Sequence, residues 1–116
     1  MNWFLLNIKS NEAQHVADIF HQMNIETFCP NIEAKQETVN TFKDYKEITP
    51  NKSYLFVKLA KKYRGVIFGI PHVLGFFTTD GKPALATDEE IETIKQGKMN
   101  HFKTLKINYP KKTITT

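Results

Sequence analysis

Four histidines (His15, His21, His72 and His101) and one cysteine (Cys29) are the side chains of this 116-residue chain best suited to metal ligation, proton transfer or nucleophilic attack. No histidine stands at metal-ligand spacing from Cys29 or from a second histidine. His15 and His21, six positions apart, fall on different faces of a helix, so each of the four reads as a surface residue. Gly65 to Gly69 lacks the phosphate-loop pattern, and Gly75 to Gly81 lacks the nucleophile elbow. Asp88, Glu89, Glu90 and Glu92 occupy the first turn of an expected helix, where they complement its dipole without any catalytic role. A single cysteine excludes an intramolecular disulfide and fits a reducing cytosol. The expectation is a cytoplasmic protein that works by binding, with no metal, no cofactor, no small-molecule substrate and no enzymatic activity.

The chemistry that remains is carried by aromatic side chains on a strand. Residues 53–59 alternate between two kinds of face, since Leu55, Val57 and Leu59 are aliphatic whereas Tyr54, Phe56 and Lys58 point the other way. On the first strand, 3–8, Phe4, Leu6 and Ile8 share the aliphatic parity, which leaves Trp3, Leu5 and Asn7 on the aromatic side. If helices cover only the aliphatic face, the aromatic face is open, and clustered exposed aromatics mark a binding surface. If a helix or the tail folds over it, the same residues are core.

The elements that hold these strands follow from local signals. Ser10 is a candidate N-cap for a helix to residue 23 or 24, with Ala13, Val16, Ala17, Phe20 and Met23 as its apolar stripe. Residues 26–32 read as a kinked or edge strand around Pro30, and 33–52 as a hairpin strand with a loop. A short helix over 61–69 ends at Gly69 and Pro71, and 73–78 is a further strand. Asp80-Gly81 marks a tight turn. Thr87 and Glu90 form a capping box for a last helix carrying Ile91 and Ile94, stopped by Gly97. The fold class is therefore α+β, a mainly antiparallel sheet with helices packed on one face, in the order β-α-β-β-β-α-β-α. Residues 1–97 form one domain, and 98–116 a basic tail or linker. The net charge of +4 divides accordingly, because residues 1–94 hold 10 Lys+Arg against 12 Asp+Glu (−2) and the remainder adds six lysines without an acid (+6). No apolar run approaches the roughly 20 residues that span a bilayer, so no membrane role is expected.

Two resemblances bear on the partner. Lys52-Ser-Tyr54-Leu-Phe56-Val-Lys58-Leu59 resembles, in part, the ribonucleoprotein motif of RNA-recognition sheets, with Ser53, Leu55 and Leu59 departing from its pattern. A second resemblance spans residues 1–97. Trp3-Phe-Leu-Leu, Glu26-Thr-Phe-Cys-Pro30, Ser53-Tyr-Leu-Phe-Val57, Val73-Leu-Gly-Phe-Phe, Gly81-Lys-Pro-Ala84 and Asp88-Glu-Glu-Ile91 are similar to the N-terminal (NGN) domain of the NusG family. That family comprises transcription elongation factors and antiterminating paralogs of the RfaH kind.

The resemblance implies an NGN-like fold that binds the clamp region of RNA polymerase through a hydrophobic patch and suppresses pausing. By position, the patch is Trp3, Leu5, Asn7, Tyr54, Phe56, Ile91 and Ile94. It also implies contact with nearby DNA of the elongation complex, for which Lys61, Lys62 and Arg64 are the first candidates and Lys9 and His15 the weaker ones. Lys58 joins the first three in a local cationic run. Thr49-Pro-Asn-Lys-Ser53 and Pro71-His-Val73 depart from the family's usual Pro-Leu-Phe-Pro-Gly and Pro-Gly-Val, which implies a specialised antiterminator paralog. The family's C-terminal KOW barrel has no counterpart after Lys98. An open aromatic face further implies that Tyr54→Ala with Phe56→Ala abolishes polymerase binding and leaves the fold intact. Leu55→Ala or Val57→Ala, by contrast, is expected to destabilise by about 1–4 kcal/mol.

Overall fold

The computed structural model describes residues 2–30 and 53–107. At its centre is β1 (Asn2–Ile8), paired antiparallel along its whole length with β3 (Ser53–Leu59), from Asn2 opposite Leu59 to Ile8 opposite Ser53. β2 (Thr27–Phe28) adds to the outer edge of β3. The other edge of β1 is shared: β4 (Val73–Phe76) pairs with its second half and β7 (Leu85–Ala86) with its first. β5 (Thr78–Thr79) and β6 (Lys82–Pro83) form a separate hairpin between them. Its two-residue loop is Asp80-Gly81, with φ of 54° and 79°, the left-handed pair that a tight hairpin turn needs. The antiparallel sheet and the α+β class are as the sequence implies.

One face of this sheet packs on α1 (Ala13–Gln22). Phe4, Leu6 and Ile8 of β1 and Leu55, Val57 and Leu59 of β3 meet Ala13, Val16, Ala17 and Phe20, so the aliphatic parity is core as expected. Ile67, from a 3-10 helix over Lys61–Gly69, completes this cluster. Ser10 does not cap α1. Asn11 turns left-handed at φ 67°, and the N-cap is Glu12, whose side chain makes no cap bond. β2 is confined to two residues of the expected 26–32. The hairpin strand and loop read for 33–52 lie outside the described residues.

The layer order differs from the expected one. α2 (Asp88–Lys95) sits on the opposite face, where Ile91 and Ile94 pack with Trp3, Leu5 and Phe56. Its start is the expected capping box: Thr87 Oγ1 accepts from the Glu90 amide at 3.0 Å and Glu90 Oε1 from the Thr87 amide at 2.9 Å. Its stop is Gly97, at φ 75°, whose amide donates to the Ile94 carbonyl. Beyond it, β8 (His101–Phe102) and β9 (Leu105–Lys106) make a small hairpin, closed by the Ile107 amide on the Asn100 carbonyl. Helices therefore flank both faces. The physical reason lies in the two central strands, which carry large apolar side chains at both parities, so that neither face can be left to water at low cost.

Candidate functional site

The seven residues assigned to the polymerase-binding patch occupy one side of the sheet. Leu5 stands opposite Phe56 and Asn7 opposite Tyr54 in the β1–β3 register, while α2 brings Ile91 and Ile94 to the same cluster. The face is nevertheless closed. Phe56 and Leu5 are 0% exposed, and Trp3, Ile91 and Ile94 are 2% exposed. Part of the cover comes from the stretch expected to be a tail: Phe102 and Ile107 are buried in the cluster, with Met99 and Leu105 packed against it. Phe102 meets Phe56 edge-on at 5.2 Å between ring centroids, and Phe28 stacks parallel to Phe56 at 6.0 Å. The expectation of an open aromatic face, and of a double Tyr54/Phe56 variant that spares the fold, is thus corrected. The signal lay in the unbroken Trp3-Phe-Leu-Leu run, since a strand with one wet face alternates apolar with polar residues.

Of the seven residues, Asn7 and Tyr54, at the far end of this face, stay partly accessible. Tyr54 is half-buried, edge-on to the half-buried Phe77 at 6.2 Å, and burial holds its hydroxyl pKa above the usual 10.0. Beside it, the Asn7 Oδ1 is buried and finds no hydrogen-bond donor among the described residues. A buried carbonyl without a donor is costly by about 1–3 kcal/mol. Base stacking of the RNA-recognition kind needs a free ring face, which Phe56 lacks.

At the opposite end, Lys58 belongs to the aromatic side and not to the cationic run. Its Nζ lies 3.1 Å from Asp88 Oδ1 and 5.8 Å from the Trp3 ring centroid. The Trp3 indole N–H donates to the same Asp88 oxygen at 2.8 Å. The indole hydrogen bond first, and Lys58 second, hold the Asp88 carboxyl below its ordinary value of 3.8. A carboxyl with a depressed folded-state pKa contributes stability above its unfolded value and loses it as the pH falls through the folded one. Asp88→Asn is therefore expected to lower the unfolding temperature near pH 7, and the difference from wild type is expected to close as the pH falls below 3.8. Circular dichroism melts from pH 7 to pH 2 measure this, and a difference that persists undiminished in acid would rule out the ion-paired role.

The candidate DNA-contacting residues separate into two groups. Lys61, Lys62 and Arg64 are exposed on the 3-10 helix, where the Arg64 Nη1 donates to the Lys61 carbonyl at 2.7 Å and Lys62 lies over the Tyr63 ring. Lys61 and Arg64 line a cleft of about 310 Å³ together with Lys82, Phe4, Pro83 and Leu85. Lys82 was not among the expected residues. It enters because the Asp80-Gly81 turn folds β6 back towards the 3-10 helix, a tertiary consequence of a turn that was itself legible. Lys9 follows Ile8, whereas Lys61 lies just beyond the Asn2–Leu59 end of the strands, so about 20 Å of strand separates them. His15 is engaged elsewhere: its Nδ1 lies 3.3 Å from Glu12 Oε1, and Glu12 in turn faces His72. Glu12, His15 and His72 are the group that could hold a metal ion among the described residues.

No helix among the described residues is long and apolar enough to cross a membrane. A family model described as transcription termination factor nusG matches residues 1–95. No curated protein matches the chain. The residues that close the aromatic face from the C-terminal side, 99–107, lie beyond the matched stretch.

Proposed function

The chain belongs to the NusG family of transcription factors, and on that premise we propose that it is a specialised antitermination factor that binds the clamp region of RNA polymerase and suppresses pausing. The docking face is the side of the sheet formed by Trp3, Leu5, Asn7, Tyr54, Phe56, Ile91 and Ile94. What supports this reading is the convergence of these positions, from three separate stretches of sequence, on one apolar face whose outer end holds, at Asn7, an acceptor without a donor among the described residues. Because residues 99–107 lie over much of that face, docking begins at the half-open end, at Tyr54, Phe77 and Asn7, and proceeds as the β8–β9 hairpin withdraws. Nearby DNA of the elongation complex is met by Lys61, Arg64 and Lys82 around their shared cleft, and by Lys62 on the same 3-10 helix.

The experiment is a binding assay with purified core RNA polymerase, free of nucleic acid, followed by a pause-escape assay on a DNA template. Tyr54→Ala is expected to weaken polymerase binding by at least about tenfold, as for an aromatic anchor at the point of first contact, with cooperative unfolding retained. Replacing Lys61, Lys62 and Arg64 with Ala is expected to leave that affinity unchanged and to weaken pause suppression most at low salt, with the difference from wild type closing as salt rises. The reason is that a body of charge −2 contacts phosphate effectively only once the polymerase holds it beside the duplex. Unchanged binding by Tyr54→Ala would reject the docking face, and unchanged pausing by the triple variant at every ionic strength would remove DNA from the mechanism.

A further inference from the structure

We propose that Glu12, His15 and His72 form a binding site for a divalent transition-metal ion of the Zn²⁺ class. The three residues come from two places in the chain: Glu12 and His15 open α1, and His72 lies in the turn between the 3-10 helix and β4. One ligand atom from each lies within 4.8 Å of the other two. Glu12 Oε1 stands 3.3 Å from His15 Nδ1 and 3.8 Å from His72 Nε2, and the two imidazole rings are 5.5 Å apart. Ligand atoms about 2.0–2.1 Å from a tetrahedral ion are separated from one another by about 3.4 Å. The carboxylate is thus already at ligand spacing from one imidazole and a few tenths of an ångström from it at the other. Two imidazoles and one carboxylate are a donor set that suits zinc, with its remaining position left to water.

The backbone holds this arrangement together independently of the side chains. The Lys9 amide donates to the His72 carbonyl at 2.9 Å, and the Lys9 carbonyl accepts from the Glu12 amide at 3.0 Å. One residue at the end of β1 therefore fixes both ligand-bearing segments, which is the preorganisation a three-residue site requires. His72 also adopts φ 71°, a left-handed conformation that residues with a Cβ seldom occupy. Such a conformation persists where the surroundings over-determine it, and it aims the imidazole towards Glu12. The positive end of the α1 dipole opposes a cation, and the Glu12 carboxylate offsets that opposition. The His15 Nδ1–Glu12 Oε1 contact, at 3.3 Å, already brings together two of the atoms that an ion would join.

The test uses the full chain and Zn²⁺ alone, in competition with a chromophoric chelator, with Co²⁺ as a spectroscopic stand-in. Wild type is expected to bind one equivalent with a saturable site, to show the d–d bands of low-symmetry Co²⁺, and to unfold at a higher temperature when Zn²⁺ is present. His15→Ala and Glu12→Gln are each expected to lower the affinity at least tenfold. His72→Gly is the decisive variant, because glycine suits φ 71° and the loss of metal binding cannot then be assigned to misfolding. Without metal it is expected to be at least as stable as wild type, and with Zn²⁺ to show no rise in unfolding temperature. His21→Ala and His101→Ala, at histidines outside the cluster, are expected to bind as wild type does. Absence of a saturable site in wild type, or an affinity unchanged by His72→Gly, would overturn the proposal.

Discussion

Phe56→Ala is expected to lower the unfolding free energy by about 3–5 kcal/mol, the range for removing a large aromatic side chain from a packed core. Phe56 is 0% exposed and is held on two sides by rings, Phe28 stacked against it and Phe102 edge-on. Its removal leaves a void between β3 and the β8–β9 hairpin that the sheet backbone, paired on both sides of β3, cannot collapse to fill. The expectation inverts what an open face would give, since an exposed Phe56 would be nearly silent in stability. Tyr54→Ala, on the same face but half-buried, serves as the internal comparison and should cost clearly less. Leu55→Ala, on the aliphatic side, should fall within about 1–4 kcal/mol. The denaturant midpoint, at constant m-value, measures all three. A Phe56→Ala midpoint within error of wild type would mean that the aromatic face is not closed in solution.

The second large effect is a gain. If residues 99–107 must leave the sheet before the polymerase can dock, weakening their attachment should strengthen binding. Full burial of a phenylalanine contributes about 1.5–3 kcal/mol, and each 1.4 kcal/mol is about tenfold in an equilibrium constant. Phe102→Ala is therefore expected to raise the affinity for core RNA polymerase by about 10–100-fold, because the free energy spent on opening the face is reduced by that amount. His101→Ala, exposed on the same hairpin, should leave affinity where it is. The measurement is the dissociation constant of the full chain for polymerase, alongside an unfolding curve that tests whether the sheet survives the substitution. An unchanged or lowered affinity would show that the hairpin does not compete with the polymerase. Phe56→Ala and Phe102→Ala together separate two roles on one face: Phe56 holds the domain together, and Phe102 holds the cover down.

These outcomes also divide what local sequence carried from what it did not. The strands at 3–8 and 53–59, their aliphatic core parity, the Asp80-Gly81 turn, the Thr87/Glu90 capping box and the Gly97 stop were all legible. Each depends on side chains within a few residues of one another, so their physics is contained in a short window. The start of α1 falls at Glu12 and not at the expected Ser10, because the left-handed turn at Asn11 intervenes and outweighs the better capping side chain of serine. The composition of β1 and β3 also carried the information that both faces are apolar, and so that both must be covered. Which element covers the second face was settled only by the path of the chain, which brings α2 and the 99–107 hairpin to it and thereby turns an open aromatic surface into a guarded one. The same holds for the metal-ligand cluster. His15 and His72 are 57 positions apart and have no sequence spacing that marks them as a pair. They meet because β4 pairs antiparallel with β1, setting the turn before β4 beside the end of β1, from which α1 then starts. Local sequence writes capping, turns and strand parity, whereas the burial of a face and the meeting of distant ligands are sums over long-range packing, which only the folded chain evaluates.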